Sequence, residues 1–288
     1  MLIADAQVHI WGANTPERPW PPGREHLAQK PYPVTKDMIL AAMDQAGVDR
    51  AVLVPPSWEG DRNDLALEAA RLHPDRFAVM GRLAIDDPTS RGLVAGWRSQ
   101  PGMLGVRLTF HLPEQRQWLS DGTADWFWAA AEQAALPVMV FVPGSVPAID
   151  GIAERHPGLR LVIDHLAIGS GKDDAAFARL PEVLRLARLP NVAVKASALP
   201  VFSSEPYPFP GLHRYIREVY EAFGPQRMFW GTDWTRLPCS WREAVTLFTE
   251  ELPWLTAEEK EWIMGRALCE WLDWPLPDLP SQVSAPQP

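Results

Sequence analysis

Three stretches of the chain leave ionisable side chains at the ends of apolar runs, where packing alone gives them no place. Asp5, Gln7 and His9 alternate along Leu2 to Ile10, so a period of two puts them on one face of a strand. His165 follows Leu161-Val162-Ile163-Asp164, and Asp233 follows Phe229-Trp230-Gly231-Thr232. Imidazoles and carboxylates so placed are costly to bury without a partner or a purpose, and they are the groups that move protons or hold ions. Arg82, Arg107 and Lys195 fall at the ends of three further apolar runs. Three cations converging in an otherwise acidic chain point to a small anionic ligand.

Short runs rich in Val, Ile and Leu alternate with longer amphipathic stretches, the pattern of βα units on a parallel sheet. Eight strands are predicted, at Leu2 to Ile10, Ala51 to Pro55, Phe77 to Leu83, Gly105 to Phe110, Pro137 to Val142, Leu159 to Leu166, Val192 to Ala196 and Met228 to Thr232. Helices are predicted near 35–46, 61–72, 88–99, 123–135, 146–155, 174–188, 211–223 and 240–251, with an extra one at 257–272. Eight such units without a glycine-rich phosphate loop give the α/β class and a single (β/α)8 TIM barrel. It spans residues 1–274, with a long loop after the first strand and a Pro-rich tail at 275–288. Catalytic groups in that fold sit at the C-terminal ends of the strands, where the residues above lie. The polar segment from Glu114 to Asp125 reads as a surface loop, and His111 and His26 as loop or surface histidines.

The balance of 27 basic and 36 acidic residues gives a net charge of −9, which argues against nucleic acid and anionic membrane as partners. No apolar run reaches the ~20 residues of a membrane span, and the N-terminus lacks a signal-peptide layout. Cys239 and Cys269 have no paired spacing, so neither a disulfide framework nor a zinc ribbon is expected, and the compartment reads as cytoplasmic. Fourteen tryptophans leave a homo-oligomer open, because aromatic residues concentrate at interfaces.

Asp5-Ala6-Gln7-Val8-His9-Ile10-Trp11, Ile163-Asp164-His165 and Trp230-Gly231-Thr232-Asp233-Trp234 together resemble the motifs of the amidohydrolase superfamily. More narrowly they resemble its second large family, which contains 2-pyrone-4,6-dicarboxylate lactonase and related sugar and muconolactone hydrolases. The resemblance runs from Leu2 to about Trp274. It implies a hydrolase opening a carboxylated lactone or similar cyclic ester. The superfamily's first strand usually reads Asp-x-His-x-His and gives two imidazoles to a divalent metal, but here Gln7 replaces the first. The fifth strand also lacks the metal-binding His or Lys. His9, His165 and Asp233 remain for a metal such as zinc, reaching three donors only if His165 turns to ligation. The expectation is therefore chemistry without a metal, with one divalent ion at those three residues as the alternative.

For such a reaction Asp233 is the general base, its pKa expected to rise toward neutrality beside Trp230 and Trp234. His165 and His9 polarise the carbonyl or shuttle the proton, and Gln7 adds an amide donor. Arg82, Arg107 and Lys195 bind substrate carboxylate, while Trp11, Trp58 and Trp234 form an aromatic wall with the loop at 12–33. Each assignment has a structural rival. Asp233 and His165 can be an ion pair closing the barrel, His9 a satisfied core histidine, and the arginines scaffold partners of Asp5 or Asp86. Two other functions compete: a divalent-metal decarboxylase of aromatic or unsaturated acids, and a barrel that binds an anion without catalysis.

Overall fold

The computed structural model describes residues 1–277, so most of the Pro-rich tail lies outside the described residues. Eight parallel strands follow one another around a single sheet in chain order. They are β1 Ala4–Val8, β2 Arg50–Leu53, β3 Phe77–Gly81, β4 Met103–Thr109, β5 Val138–Phe141, β6 Leu161–Ile163, β7 Val192–Ser197 and β8 Met228–Gly231. The sheet curls until β8 meets β1. The Asp233 N–H donates to the Gln7 carbonyl at 2.9 Å across that seam. A Cβ on Gly231 would stand 3.1 Å from the Ala6 nitrogen, which is why glycine occupies the point of closest approach. The expected (β/α)8 barrel is the fold.

Helices fill the intervals much as the amphipathic stretches predict, among them Lys36–Ala46, Asp64–Leu72, Asp125–Gln133, Val146–Arg155, Pro210–Phe223 and Trp241–Thr249. Ser240 with Glu243, and Thr256 with Glu259, close reciprocal capping boxes. Three intervals differ from expectation. Pro88–Ser99 winds as a 3-10 helix, in keeping with two glycines, Gly92 and Gly96, that weaken the α form. The stretch at 174–188 breaks into Asp173–Phe177 and Leu180–Arg185, with Pro181 in the first turn of the second piece. Pro113–Gln117 is a short helix inside the segment read as a loop.

The apolar residues sort into two shells. Val8, Leu53, Val79, Val140, Ile163 and Trp230 face outward against the helices. Ala4, Ala6, Val52, Met80, Met139, Val162 and Phe229 fill the barrel itself and share one cluster with Ala267, Leu268, Cys269, Leu272 and Trp274. The last helix, Ala267–Leu272, thus plugs the N-terminal mouth, and Trp274 lies 4.9 Å under the Arg50 guanidinium at the start of β2. With one end closed by apolar packing, polar chemistry is left to the other. No helix among the described residues is long and apolar enough to cross a membrane.

Candidate active site

The first strand does not run straight to its end. Its pairing with β2 shifts between Asp5 and Val8, a bulge that breaks the alternation predicted from the sequence. Asp5 therefore leaves the face that Gln7 and His9 share. Its carboxylate instead accepts from the Gln7 and Thr232 backbone N–H groups at 2.9 Å each, from the Thr232 hydroxyl, and from Trp241 Nε1 at 3.1 Å. Burial pushes the Asp5 carboxyl up to about 6, with those four donors opposing the rise. Asp5 is a latch joining β1, β8 and the helix at Trp241–Thr249, and takes no part in the site.

Gln7 and His9 do enter the mouth. His9 Nδ1 donates to the Val54 carbonyl at 2.5 Å, and His9 Nε2 lies 3.1 Å from Asp233 Oδ1. The ring is thus held between a backbone carbonyl on one side and a buried carboxylate on the other. Asp233 sits at φ 50° and His165 at φ 50°, left-handed positions costing ~1 kcal/mol or more each that turn the two side chains back over the barrel. Burial acts to raise the Asp233 pKa, but contact with His9, and then His165 and Arg236 nearby, outweigh it and hold the carboxyl well below the usual carboxylate range. The neutral-range base expected from aromatic neighbours is thus corrected. Asp233 is ionised in the resting site because imidazoles and a guanidinium, not indoles, face it.

His165 completes the group from β6. Its Nδ1 lies 2.8 Å from Ser197 Oγ, and its Nε2 lies 3.2 Å from Gln7 Nε2 and 3.9 Å from Asp233 Oδ2. Burial pushes the imidazole down to about 4, against the pull of Asp233 and Asp164. It is neutral, with its Nε2 lone pair facing the Gln7 amide. Lys195 Nζ donates to Gln7 Oε1 at 2.8 Å and stands 2.8 Å from Asp164 Oδ1, while Arg107 Nε donates to Asp164 Oδ2 at 2.9 Å.

These groups border a cavity of about 270 Å³ at the C-terminal mouth, lined by Gln7, His9, Trp58, Arg107, His165 and Asp233 of the ten residues singled out from sequence. The other four stand elsewhere. Lys195 is fully buried behind Gln7, so it cannot reach a substrate carboxylate. Arg82 pairs with Asp61 at 3.1 Å outside the cavity, and Trp11 packs edge-on behind Trp58 with centroids 5.2 Å apart. Trp234 stacks on Trp241 at 5.5 Å. The wall opposite is made instead by Phe141, at the end of β5, and by Leu27 and Gln29 of the long loop. His111, read as a loop histidine, also lines the cavity, and burial with Arg107 and Arg82 nearby pushes its pKa down to about 4. Arg236 was missed altogether. It approaches Asp233 Oδ2 at 3.6 Å from the turn after β8, where its spacing of three from Asp233 was the available signal. All fourteen tryptophans are buried or half-buried, so none offers a fully exposed ring to a second subunit.

His9, His165 and Asp233 supply the three donors that a catalytic metal site needs at minimum. Their arrangement does not match their number. Among the described residues no three His, Cys, Asp or Glu side chains are placed to hold a metal ion. The fourth neighbour, Gln7, turns its amide nitrogen rather than its oxygen toward both imidazoles, at 3.2 and 3.5 Å.

An amidohydrolase family model matches residues 4–267. An L-fucono-1,5-lactonase of Burkholderia ambifaria is 31% identical over 241 residues, covering 80% of this chain and 79% of that protein. Among solved structures, an amidohydrolase from Burkholderia multivorans with zinc bound superposes at a TM-score of 0.78 with 23% identity, over 96% of this chain and 100% of that one. A probable 2-pyrone-4,6-dicarboxylic acid hydrolase from Acinetobacter baumannii, with citric acid bound, superposes at 0.72 with 17% identity, over 95% and 100%. The match over nearly the whole barrel, with the curated relative above 30% identity, places this chain in the amidohydrolase family as a hydrolase.

Proposed function

We propose that this protein hydrolyses the lactone of a small organic acid, with a carboxylate or similar anionic group on the ring. The observation that carries the reading is the buried His9–Asp233 contact at 3.1 Å, facing a cavity whose other charged side chains are Arg107 and Arg236. The named activities of the curated relative and of the Acinetobacter neighbour, both directed at lactone-type rings, support the same class. Asp233 orients the attacking water and takes its proton as the new C–O bond forms. The Gln7 amide and the free end of the Arg107 guanidinium donate to the carbonyl oxygen as negative charge builds there. When the ring C–O bond breaks, His9 protonates the departing oxygen and is reprotonated by Asp233, which restores the resting pair. Neutral His165 keeps Gln7 aimed, and Trp58, Leu27 and Phe141 give the ring an apolar seat. Each positioned proton-transfer group of this kind contributes roughly 10²- to 10⁴-fold.

The same reading runs without a metal. A structural neighbour binds zinc, and three donors are present here, but an amide hydrogen stands where a ligand oxygen would be needed. The free thiols Cys239 and Cys269 suit a reducing, cytoplasmic location. A panel containing L-fucono-1,5-lactone, 2-pyrone-4,6-dicarboxylate and other carboxylated lactones, followed by proton release, tests the assignment. Ring opening of an anionic lactone is the expected result. Release of carbon dioxide from an aromatic acid, with no lactone opened, would replace it by the decarboxylase reading. Binding of these anions without turnover would replace it by a non-catalytic one.

A further inference from the structure

The side chain that occupies the vacated ligand position is itself held from behind. Lys195 is fully buried on β7, with Nζ 2.8 Å from Gln7 Oε1 and 2.8 Å from Asp164 Oδ1. Asp164 is in turn held by Arg107 Nε at 2.9 Å, so the ammonium has no second place to go. An ammonium donates and never accepts, so the Gln7 atom facing it must be the amide oxygen. A flipped amide would set two buried donors against each other. The amide hydrogens therefore point the other way, one toward the His165 Nε2 lone pair at 3.2 Å, into the space beside the Asp233 carboxylate.

We propose that Lys195 is a positioning residue that locks the Gln7 amide with its hydrogens inward, making the site an N–H donor to substrate and closing it to a divalent cation. A cation at the convergence point would meet amide hydrogens directly, with the Lys195 charge behind them. Nitrogen of an amide is no ligand, and the one atom of Gln7 that is a ligand type is already taken. The proposal rests on the metal-free reading above, but its test needs no turnover.

Zinc affinity is measured by competition with a chromophoric chelator for the wild type, Lys195→Met, Lys195→Arg and Gln7→Glu. Glutamate keeps the Lys195 contact with one oxygen and offers the other to the metal, so Gln7→Glu is expected to bind zinc about 100-fold tighter than wild type. Lys195→Met, which frees the amide to flip, is expected to gain about tenfold, and Lys195→Arg, which keeps a buried donor, to stay near wild type. On any lactone that is opened, Lys195→Met is expected to lower kcat with little change in KM. Wild-type protein holding stoichiometric zinc, or Gln7→Glu binding it no tighter than wild type, would overturn the proposal. If Lys195→Met does not fold, the Gln7→Glu and Lys195→Arg titrations still decide. Zinc is titrated without substrate, so a protein that rejects zinc yet opens no lactone would refute the function and leave the lock standing.

Discussion

The chemistry turns on the His9–Asp233 pair, and the charges around it set the acid limb of activity. Asp233 is held well below the usual carboxylate range, whereas burial pushes the His165 imidazole down to about 4. Protonating His165 removes the lone pair that faces the Gln7 amide, so kcat/KM is expected to stay level from neutral pH down to about 5 and to fall around 4. A pH–rate profile with an acid limb between 6 and 7 would instead restore the neutral-range base expected from sequence. Asp233→Asn removes the carboxylate while keeping the shape, and should lower kcat about 10³-fold with the fold intact by circular dichroism. Arg236, partly exposed beside Asp233, is expected to act on binding. Arg236→Gln should raise KM for an anionic lactone about tenfold while leaving a neutral lactone nearly unchanged.

At the level of elements, the strand-end positions of His9, His165 and Asp233 were legible because core packing gives an apolar run no reason to finish on an ionisable group. Orientation was less legible. The bulge in β1 removes Asp5 from the site, and nothing in a period-two pattern announces a shift of register. Lys195 and Arg82 had the right side-chain type at the right strand ends, yet their charges are consumed by Asp164 and Asp61. Such pairings join residues far apart in the chain, so spacing cannot reveal them. Asp5 supplies a test of its corrected role. Asp5→Ala leaves the Gln7 and Thr232 N–H groups and Trp241 Nε1 buried without an acceptor, which should cost about 3 kcal/mol at roughly 1 kcal/mol each. Urea unfolding measures that loss, and a change under about 0.5 kcal/mol would mean that the seam does not depend on the latch.

For the whole molecule, the barrel was readable from eight apolar runs in order, because that architecture leaves a periodic imprint along the chain. The apolar plug was not, since the helical spacing of Leu268, Leu272 and Trp274 does not say which end of the barrel they seal. Leu268→Asp would bury an unpaired charge in that plug and should destabilise the protein by about 4 kcal/mol without changing KM of the material that remains folded. A plugged base leaves one functional mouth, and everything proposed for that mouth depends on water being activated by a carboxylate and an imidazole alone. The most direct measurement is kcat of chelator-dialysed protein alongside its metal content. Full activity at below about 0.1 metal ion per chain is the predicted result, against the one ion that a catalytic zinc site holds. Activity that vanishes with the metal and returns in proportion to added zinc would contradict it.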